Sequence, residues 1–501
     1  MTKVKETNFT VISHCEESAS CLENTVPSLT WQSCARTVSA MPYPHSLTSA
    51  HTAFLTDLFP GDGCLLTPEA MNIFSVDAGR ERTMPLAVVR PENREHLVEL
   101  LRWADAERMP VTGRARATNQ VGSAVPVHGG VVVSLLRMNA ILDIDDRDFV
   151  AVLQPGVVTA DLQAACARQK LFYPPDPASV KTSTVGGNIA TCAGGLRAVK
   201  YGVTRDWVLG LEAVLPGGRV LNMGGRSHKD VVGLDLKRLF VGSNGKLGLI
   251  SEVTVKLIPL PEAAASVLVG FADLASCMDG AMAVFHAGLL PSACEFMDET
   301  VLSVVRLSGD IPVAPEAKGA LLFKLDGTQE GVDAEVRRLV AALKTVRPVS
   351  VEVGVGAAEE AIWDVRRGIS PGSYKLKPNK VSEDLSVPRS QVLRLVESAQ
   401  ELGRTHGLPV LCYGHLGDGN IHTNIMHDAS VQGEVETAHV IKEALFRLAL
   451  ELGGTISGEH GTGLSKASFV GEQLSADEMQ LMADIKAVFD PNSIMNPGKG
   501  W

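Results

Sequence analysis

Thr184-Val185-Gly186-Gly187-Asn188-Ile189-Ala190-Thr191-Cys192-Ala193-Gly194-Gly195 sets two Gly-Gly pairs around a small polar core. Without side chains the backbone can come within hydrogen-bonding distance of a planar ligand or a phosphate. Alone, the stretch reads equally well as a glycine-rich turn. It has companions, however. Phe172-Tyr173-Pro174-Pro175-Asp176-Pro177 precedes it, Lys200-Tyr201-Gly202 follows, and Val241-Gly242-Ser243-Asn244-Gly245-Lys246-Leu247-Gly248 closes the module. Around these segments, apolar runs at 86–89, 111–112, 131–135, 150–153 and 249–258 read as strands, with further strand signals at Val214 and Val220. Pro91 opens a helix whose Leu97, Leu100, Leu101 and Ala104 recur at three and four, and 161–169 is a second, shorter helix. Alternation of this kind up to Pro261 predicts one α+β unit over 46–261.

The remainder of the chain divides by pattern. Residues 1–45 are rich in Ser, Thr, Glu and Cys without periodicity and are expected to be a disordered extension. In 262–455, strand-like runs at 266–271, 321–325 and 349–353 flank a helix marked by Val336, Leu339, Val340 and Leu343. That order predicts an antiparallel sheet with helices on one face. A glycine-bearing segment, 456–501, completes the chain.

Composition narrows the function. At 501 residues and 45% hydrophobic content, the chain can build more than one core. Its balance of 46 basic against 57 acidic residues argues against nucleic acid as a partner. The longest apolar region, 263–290, is broken by Asp273 and Asp279, so no membrane span is expected. Nine scattered cysteines suit a reducing compartment such as the cytoplasm. With no Cys-x-x-Cys among them, iron–sulfur ligation within the chain is not expected.

A second constellation lies near the end. Gly414-His415-Leu416-Gly417-Asp418-Gly419-Asn420-Ile421-His422 is followed by Gly458-Glu459-His460-Gly461. The Gly-Asp-Gly-Asn turn would put His415 and His422 on facing arms of a hairpin. Strand alternation then places His422 and Asn424 on one face, with Ile421 and Ile425 on the other. Glu459 can complete a His-His-Glu set for a divalent metal with a position left open. His460, left off the metal, is placed to move protons near neutral pH. By contrast His286, His406, His427 and His439 lack such neighbours and read as structural or exposed.

In order and spacing, these segments resemble the FAD-binding domain of the vanillyl-alcohol-oxidase (PCMH) type, followed by the oxidase C-terminal domain. The group is that of D-lactate dehydrogenase, the glycolate oxidase large subunit and D-2-hydroxyglutarate dehydrogenase. The resemblance implies a two-subdomain FAD-binding domain, a substrate (cap) domain, and a C-terminal segment returning to the flavin. It implies FAD contacts at Arg114, Arg116, Thr118, Pro175, Asp176, Thr184, Gly186, Gly187, Asn188, Gly194, Gly195, Tyr201, Gly202, Gly248, Ile250 and Asn496. It also implies metal ligation by His415, His422 and Glu459, a base at His460, and substrate contacts at Arg366, Lys380 and Asn424. Arg366 would hold the substrate carboxylate through its guanidinium fork.

The implied reaction is oxidation of a D-2-hydroxy acid, D-lactate first, with glycolate and D-2-hydroxyglutarate as alternatives. Zinc suits two imidazoles and a carboxylate, and manganese or iron(II) would serve too. Electrons would pass to an electron-transfer flavoprotein, a quinone or an iron–sulfur subunit. No histidine lies in 110–122, so the flavin would be non-covalent. One departure stands out. The family's phosphate loop carries glycines after its arginine, whereas this chain has Arg114-Ala115-Arg116-Ala117-Thr118-Asn119. Alanine at positive φ is strained, and Arg116 would compensate by reaching the pyrophosphate. Two rivals follow: a flavin-free assembly subunit, and a flavin-free metallohydrolase.

Overall fold

The computed structural model describes residues 43–501. The expectation of a disordered extension concerns residues that, up to 42, lie outside that range. Tyr43, just inside it, donates its hydroxyl to the Ser493 carbonyl at 2.7 Å.

Two sheets build the N-terminal part. In the first, Ala87–Val89, Val131–Ser134 and Val111–Arg114 run parallel, with Cys64–Leu65 antiparallel at one edge. Their valines are buried on both faces, as parallel strands require. The helix Arg94–Ala106 covers one face with the expected Leu97, Leu100, Leu101 and Ala104. It begins later than Pro91 suggests, because the Asn93 side chain accepts the His96 N–H and caps it there. In the second sheet five antiparallel strands run in the order Ile141–Asp145, Val150–Leu153, Leu249–Lys256, Val208–Val214, Val220–Gly224. The helices Thr159–Arg168 and Val185–Thr191 pack into its core.

A seven-stranded antiparallel sheet takes all its strands from 263–427, in the order Ser350–Gly354, Ala263–Phe271, Gly319–Gly327, Ala293–Asp298, Val410–His415, Asn420–His427, Asn379–Ser386. One face packs on the long helices Leu274–His286, Gln329–Leu343, Val392–His406 and Glu434–Glu451. The α+β class and antiparallel sheet are as expected. The helical cover goes further: Glu299–Arg306, Ala357–Arg367 and Ile369–Ser373 form a smaller layer on the opposite face. The reason is visible in the strands. Residues on both faces of Ala263–Phe271 are fully buried apolar groups, Val267 and Val269 on one and Leu268 on the other. A sheet with two apolar faces needs two covers.

The chain end returns to the first sheet. Val111 N–H bonds the Ile494 carbonyl and Asn496 N–H bonds the Val111 carbonyl, so residues 494–496 extend that sheet's edge. Among the described residues no helix is long and apolar enough to cross a membrane, and all six cysteines are free.

Candidate active site

Val410–His415 and Asn420–His427 form the two arms of a hairpin in which His415 faces Asn420 and Tyr413 faces His422. The strand Asn379–Ser386 pairs with the second arm and sets Asp384 opposite His422 and Ser382 opposite Asn424. Opposed residues share a face. His415, His422, Asn424 and Asp384 therefore project together, while Ile421 and Ile425 enter the core behind the sheet. On that projecting face His415 Nε2 and His422 Nε2 each lie 3.5 Å from Glu459 Oε1. One ligand atom from each of the three groups falls within 4.8 Å of the others. These distances are too long for strong hydrogen bonds and leave room for a cation between the groups.

Behind His415 stands a residue that no sequence motif marks. Glu295, wholly buried on Ala293–Asp298, accepts His415 Nδ1–H at 2.5 Å and Arg366 Nε–H at 2.7 Å. Burial works against its charge, yet His415 and Arg366 draw its pKa from 4.5 down to about 2. Holding Nδ1 in this way turns His415 Nε2 towards the site, the usual carboxylate–histidine arrangement at metals. A lone acid in the apolar run Ala293-Cys294-Glu295-Phe296-Met297 was the available signal.

Asp384 plays the matching part for the glycine-flanked turn. It accepts the backbone N–H of Glu459 at 2.7 Å and of His460 at 2.9 Å, and it faces His460 Nδ1 at 3.3 Å. Burial opposes its ionisation, but Lys466 and His460 hold its pKa well below the usual carboxylate range. In the other direction, burial lowers the His460 pKa but Asp384 more than offsets this and raises it. The His460 ring stacks on His422 at 5.5 Å with its Nε2 3.8 Å from Glu459 Oε1.

Arg366 lies with its guanidinium 4.8 Å from the centre of the Tyr413 ring. Asn424 donates to the Tyr413 hydroxyl at 3.1 Å, and its own Oδ1 is buried without a partner. Lys380 shares their sheet face further along its strand, and its ammonium donates to Ser370 Oγ at 2.9 Å. Of the four histidines set aside, His286, His406 and His439 are exposed. His427 is fully buried with neither ring nitrogen hydrogen-bonded. Nothing in the structure explains that arrangement.

Glu459 and His460 also line a large cleft between the N-terminal sheets, together with Arg114, Arg116, Thr118, Thr184, Gly186, Gly187, Asn188, Gly194, Gly248 and Ile250. Thr184 caps the helix Val185–Thr191 by accepting the Gly187 N–H. A Cβ at Gly186 would meet Pro155, and one at Gly194 would come 2.9 Å from Glu459 Oε2. The glycines are thus required by close approach, and Gly194 brings the cleft against Glu459.

Several expected flavin contacts sit elsewhere. Pro175 accepts from Gln163, and Asp176 is buried against Arg197, where burial raises its pKa to about 6. Gly195 packs on the Asp176 carbonyl and Gly202 on the Asp206 carboxylate. Tyr201 donates to Asp326 across to the seven-stranded sheet, beside a Lys200–Asp326 ion pair. Asn496 ties the chain end to the Ser123 and Asn244 carbonyls. These six are not among the residues that line the cleft.

The altered loop shows what its sequence requires. Ala117 has a φ of +51°, in the left-handed region. Arg114 gives its guanidinium to the Val76 and Ile73 carbonyls and so holds the wall. The N–H groups of Arg116, Ala117 and Thr118 bond to no acceptor among the described residues. Free amides on a left-handed turn suit a pyrophosphate, so the cleft fits FAD.

Comparison with known proteins agrees. Residues 85–224 match an FAD binding domain and residues 260–500 the C-terminal domain of FAD linked oxidases. The glycolate oxidase subunit GlcD of Bacillus subtilis is 38% identical over 85% of this chain and 91% of its own length. The chain belongs to the FAD-linked oxidase family. Two other members of this family are similar over most of their lengths. The D-lactate dehydrogenase of Archaeoglobus fulgidus is 35% identical over 82% of this chain and 90% of its own. The D-2-hydroxyglutarate dehydrogenase of Stutzerimonas stutzeri is 34% identical over 83% and 90%. Among solved structures, p-cresol methylhydroxylase superposes with a TM-score of 0.75 over 91% of this chain and 98% of its own, at 17% identity. That likeness establishes the PCMH-type fold.

Proposed function

We propose that this FAD-linked oxidoreductase oxidises a small D-2-hydroxy acid, D-lactate to pyruvate as the leading case, with glycolate and D-2-hydroxyglutarate as alternatives. The reading is carried by one observation: Glu459 and His460 stand in the wall of the same cleft as Gly186, Gly187 and Asn188. The substrate class is taken from the relatives, whose names all specify 2-hydroxy acids. In this reading 46–261 binds FAD non-covalently, 262–455 carries the substrate face, and 456–501 brings Glu459 and His460 back to the flavin.

The residues have distinct tasks. Arg366, anchored through Nε on Glu295, keeps its two terminal nitrogens for the substrate carboxylate. Lys380 and Asn424 share one face of the sheet, and the Asn424 amide holds the Tyr413 hydroxyl beside Arg366. His460 takes the hydroxyl proton at Nε2, while Asp384 faces its Nδ1. His415, His422 and Glu459 would hold the metal, zinc before manganese or iron(II). When bound, the flavin accepts two electrons with the α-hydrogen, and the metal lowers the pKa of the hydroxyl. Re-oxidation then falls to an external electron-transfer flavoprotein, quinone or iron–sulfur subunit, in a cytoplasmic setting.

An anaerobic absorbance spectrum before and after adding D-lactate, glycolate or D-2-hydroxyglutarate tests this reading. Bleaching of a flavin band by one of them supports it, and ranks the substrates. The His460→Ala variant should keep flavin and metal yet fail to bleach; loss of its metal would reverse the roles of ligand and base. A second reading, an assembly subunit without flavin, is favoured by the strained Ala117 alone. Purified protein without a flavin band would favour it.

A further inference from the structure

We infer that Asp384 is a positioning residue that sets the Ser457–Gly461 turn, and with it Glu459, at the two histidines. This rests on the reading of His415, His422 and Glu459 as metal ligands given above. Glu459 comes from a turn rather than from the sheet that bears both histidines, so something must fix the distance between them. The turn has little regular structure of its own to do so. Its glycines give no side-chain anchor, and the small Gly458 is pressed on Asn420, where a Cβ would come within 2.6 Å of the side-chain oxygen.

Asp384 supplies the missing tie. It stands directly opposite His422 in the strand register, so its place is set by the same ladder that places that histidine. From there one oxygen, Oδ2, accepts the N–H groups of both Glu459 and His460. The Gly458 N–H bonds the Asp384 carbonyl at 3.3 Å, and the Ser457 hydroxyl donates to the carboxylate at 3.2 Å. Four successive residues of the turn are therefore held by one residue of the sheet. The other oxygen, Oδ1, pairs with the Lys466 ammonium, which also donates to the Ile456 carbonyl just ahead of the turn. Asp384 is fully buried and Lys466 is 1% exposed, so the pair is fixed by packing as well as by charge. Glu383, the neighbour, shares the Lys466 ammonium at 3.4 Å and pairs more closely with Lys442 at 2.8 Å. It retains that partner if Lys466 is removed.

The test separates placing the turn from merely stabilising the fold. Lys466→Met removes the ammonium, and in that background Asp384→Asn and Asp384→Ala shed the charge equally. Asparagine keeps an oxygen for the two amides; alanine does not. Zn2+ affinity of the flavin-loaded protein, measured by competition with a chromophoric chelator, is the readout, with melting temperature and flavin content alongside. At comparable melting temperature and flavin content, the alanine double variant should bind Zn2+ at least about tenfold more weakly than the asparagine one. Equal affinity in the two would overturn the inference.

Should the alanine variant fail to fold, Asp384→Glu takes its place. It keeps the charge facing Lys466 but moves the oxygens by one methylene, so weakened Zn2+ binding is again expected. Wild-type affinity in Asp384→Glu would overturn the inference. Wild-type protein that takes up no Zn2+ would overturn the metal reading itself. If wild type binds Zn2+ but no 2-hydroxy acid bleaches its flavin, only the proposed substrate class fails, and the comparison of variants still decides the role of Asp384.

Discussion

Replacing Glu295 by Gln would disturb the proposed metal set and the proposed substrate arginine in a single step. Its two carboxylate oxygens accept from His415 Nδ1 and Arg366 Nε, and the side chain has no exposure to water. Glutamine offers one acceptor oxygen and an NH2 group that only donates, so one of the two partners must face a donor. The depression of the Glu295 pKa from 4.5 to about 2 corresponds to about 3 kcal/mol of folding stability linked to its ionisation. A carboxylate with a depressed pKa contributes fully above its unfolded value and loses that contribution as pH falls through its folded value. The wild-type protein should therefore lose this stability between about pH 4.5 and pH 2, and the acid limb of the variant should be shallower, with the share of Asp384 remaining. At neutral pH the variant should melt lower, since removing one member of a buried pair costs about 3–5 kcal/mol. Its metal affinity should fall by about 10–100-fold, because His415 is no longer held with Nε2 turned to the site. Chelator competition gives the affinity and thermal melts across pH give the stability. Wild-type metal affinity with an unchanged acid limb would refute the argument.

Arg366→Lys should raise KM for the hydroxy acid by about 10–100-fold with flavin content unchanged, because an ammonium cannot reproduce the fork; steady-state kinetics decides it. Gly194→Ala places a Cβ 2.9 Å from Glu459 Oε2, so metal content measured by atomic emission should fall while the flavin spectrum is kept. Arg116→Ala should lose flavin faster on dialysis if that guanidinium, exposed at the cleft and without an ion-pair partner among the described residues, substitutes for glycine amides. Unchanged retention would leave the free loop amides as the sole phosphate contacts.

Much of the fold was legible because it follows from local pattern. Leu97, Leu100, Leu101 and Ala104 face one core because a helix repeats every 3.6 residues. Ile421 and Ile425 oppose His422 and Asn424 because a strand repeats every two. The helix Leu274–His286 was not legible in this way, since its Ala, Gly and Met positions are apolar on several sides. Nor was the second helical layer, whose need arises only when both faces of the sheet prove apolar.

Site residues divide along the same line. His415, His422, Glu459 and His460, the proposed set, are marked by residue type among glycines. Glu295, Asp384 and Lys466 carry no such mark, because a buried acid or lysine is defined by what surrounds it.

Sequence alone determined the α+β class, the glycine-rich segments, the hairpin and the residue types of the proposed metal set, all of which depend on neighbours within a few residues. Only tertiary structure decided that a turn near residue 459 meets a hairpin near residue 418, that Tyr201 bonds across to Asp326, and that Asn496 bonds the Ser123 and Asn244 carbonyls. It also decided that Arg114 holds the wall while Arg116 is left free. Those are contacts between segments far apart in the chain, and the packing of whole sheets, rather than any local propensity, selects them.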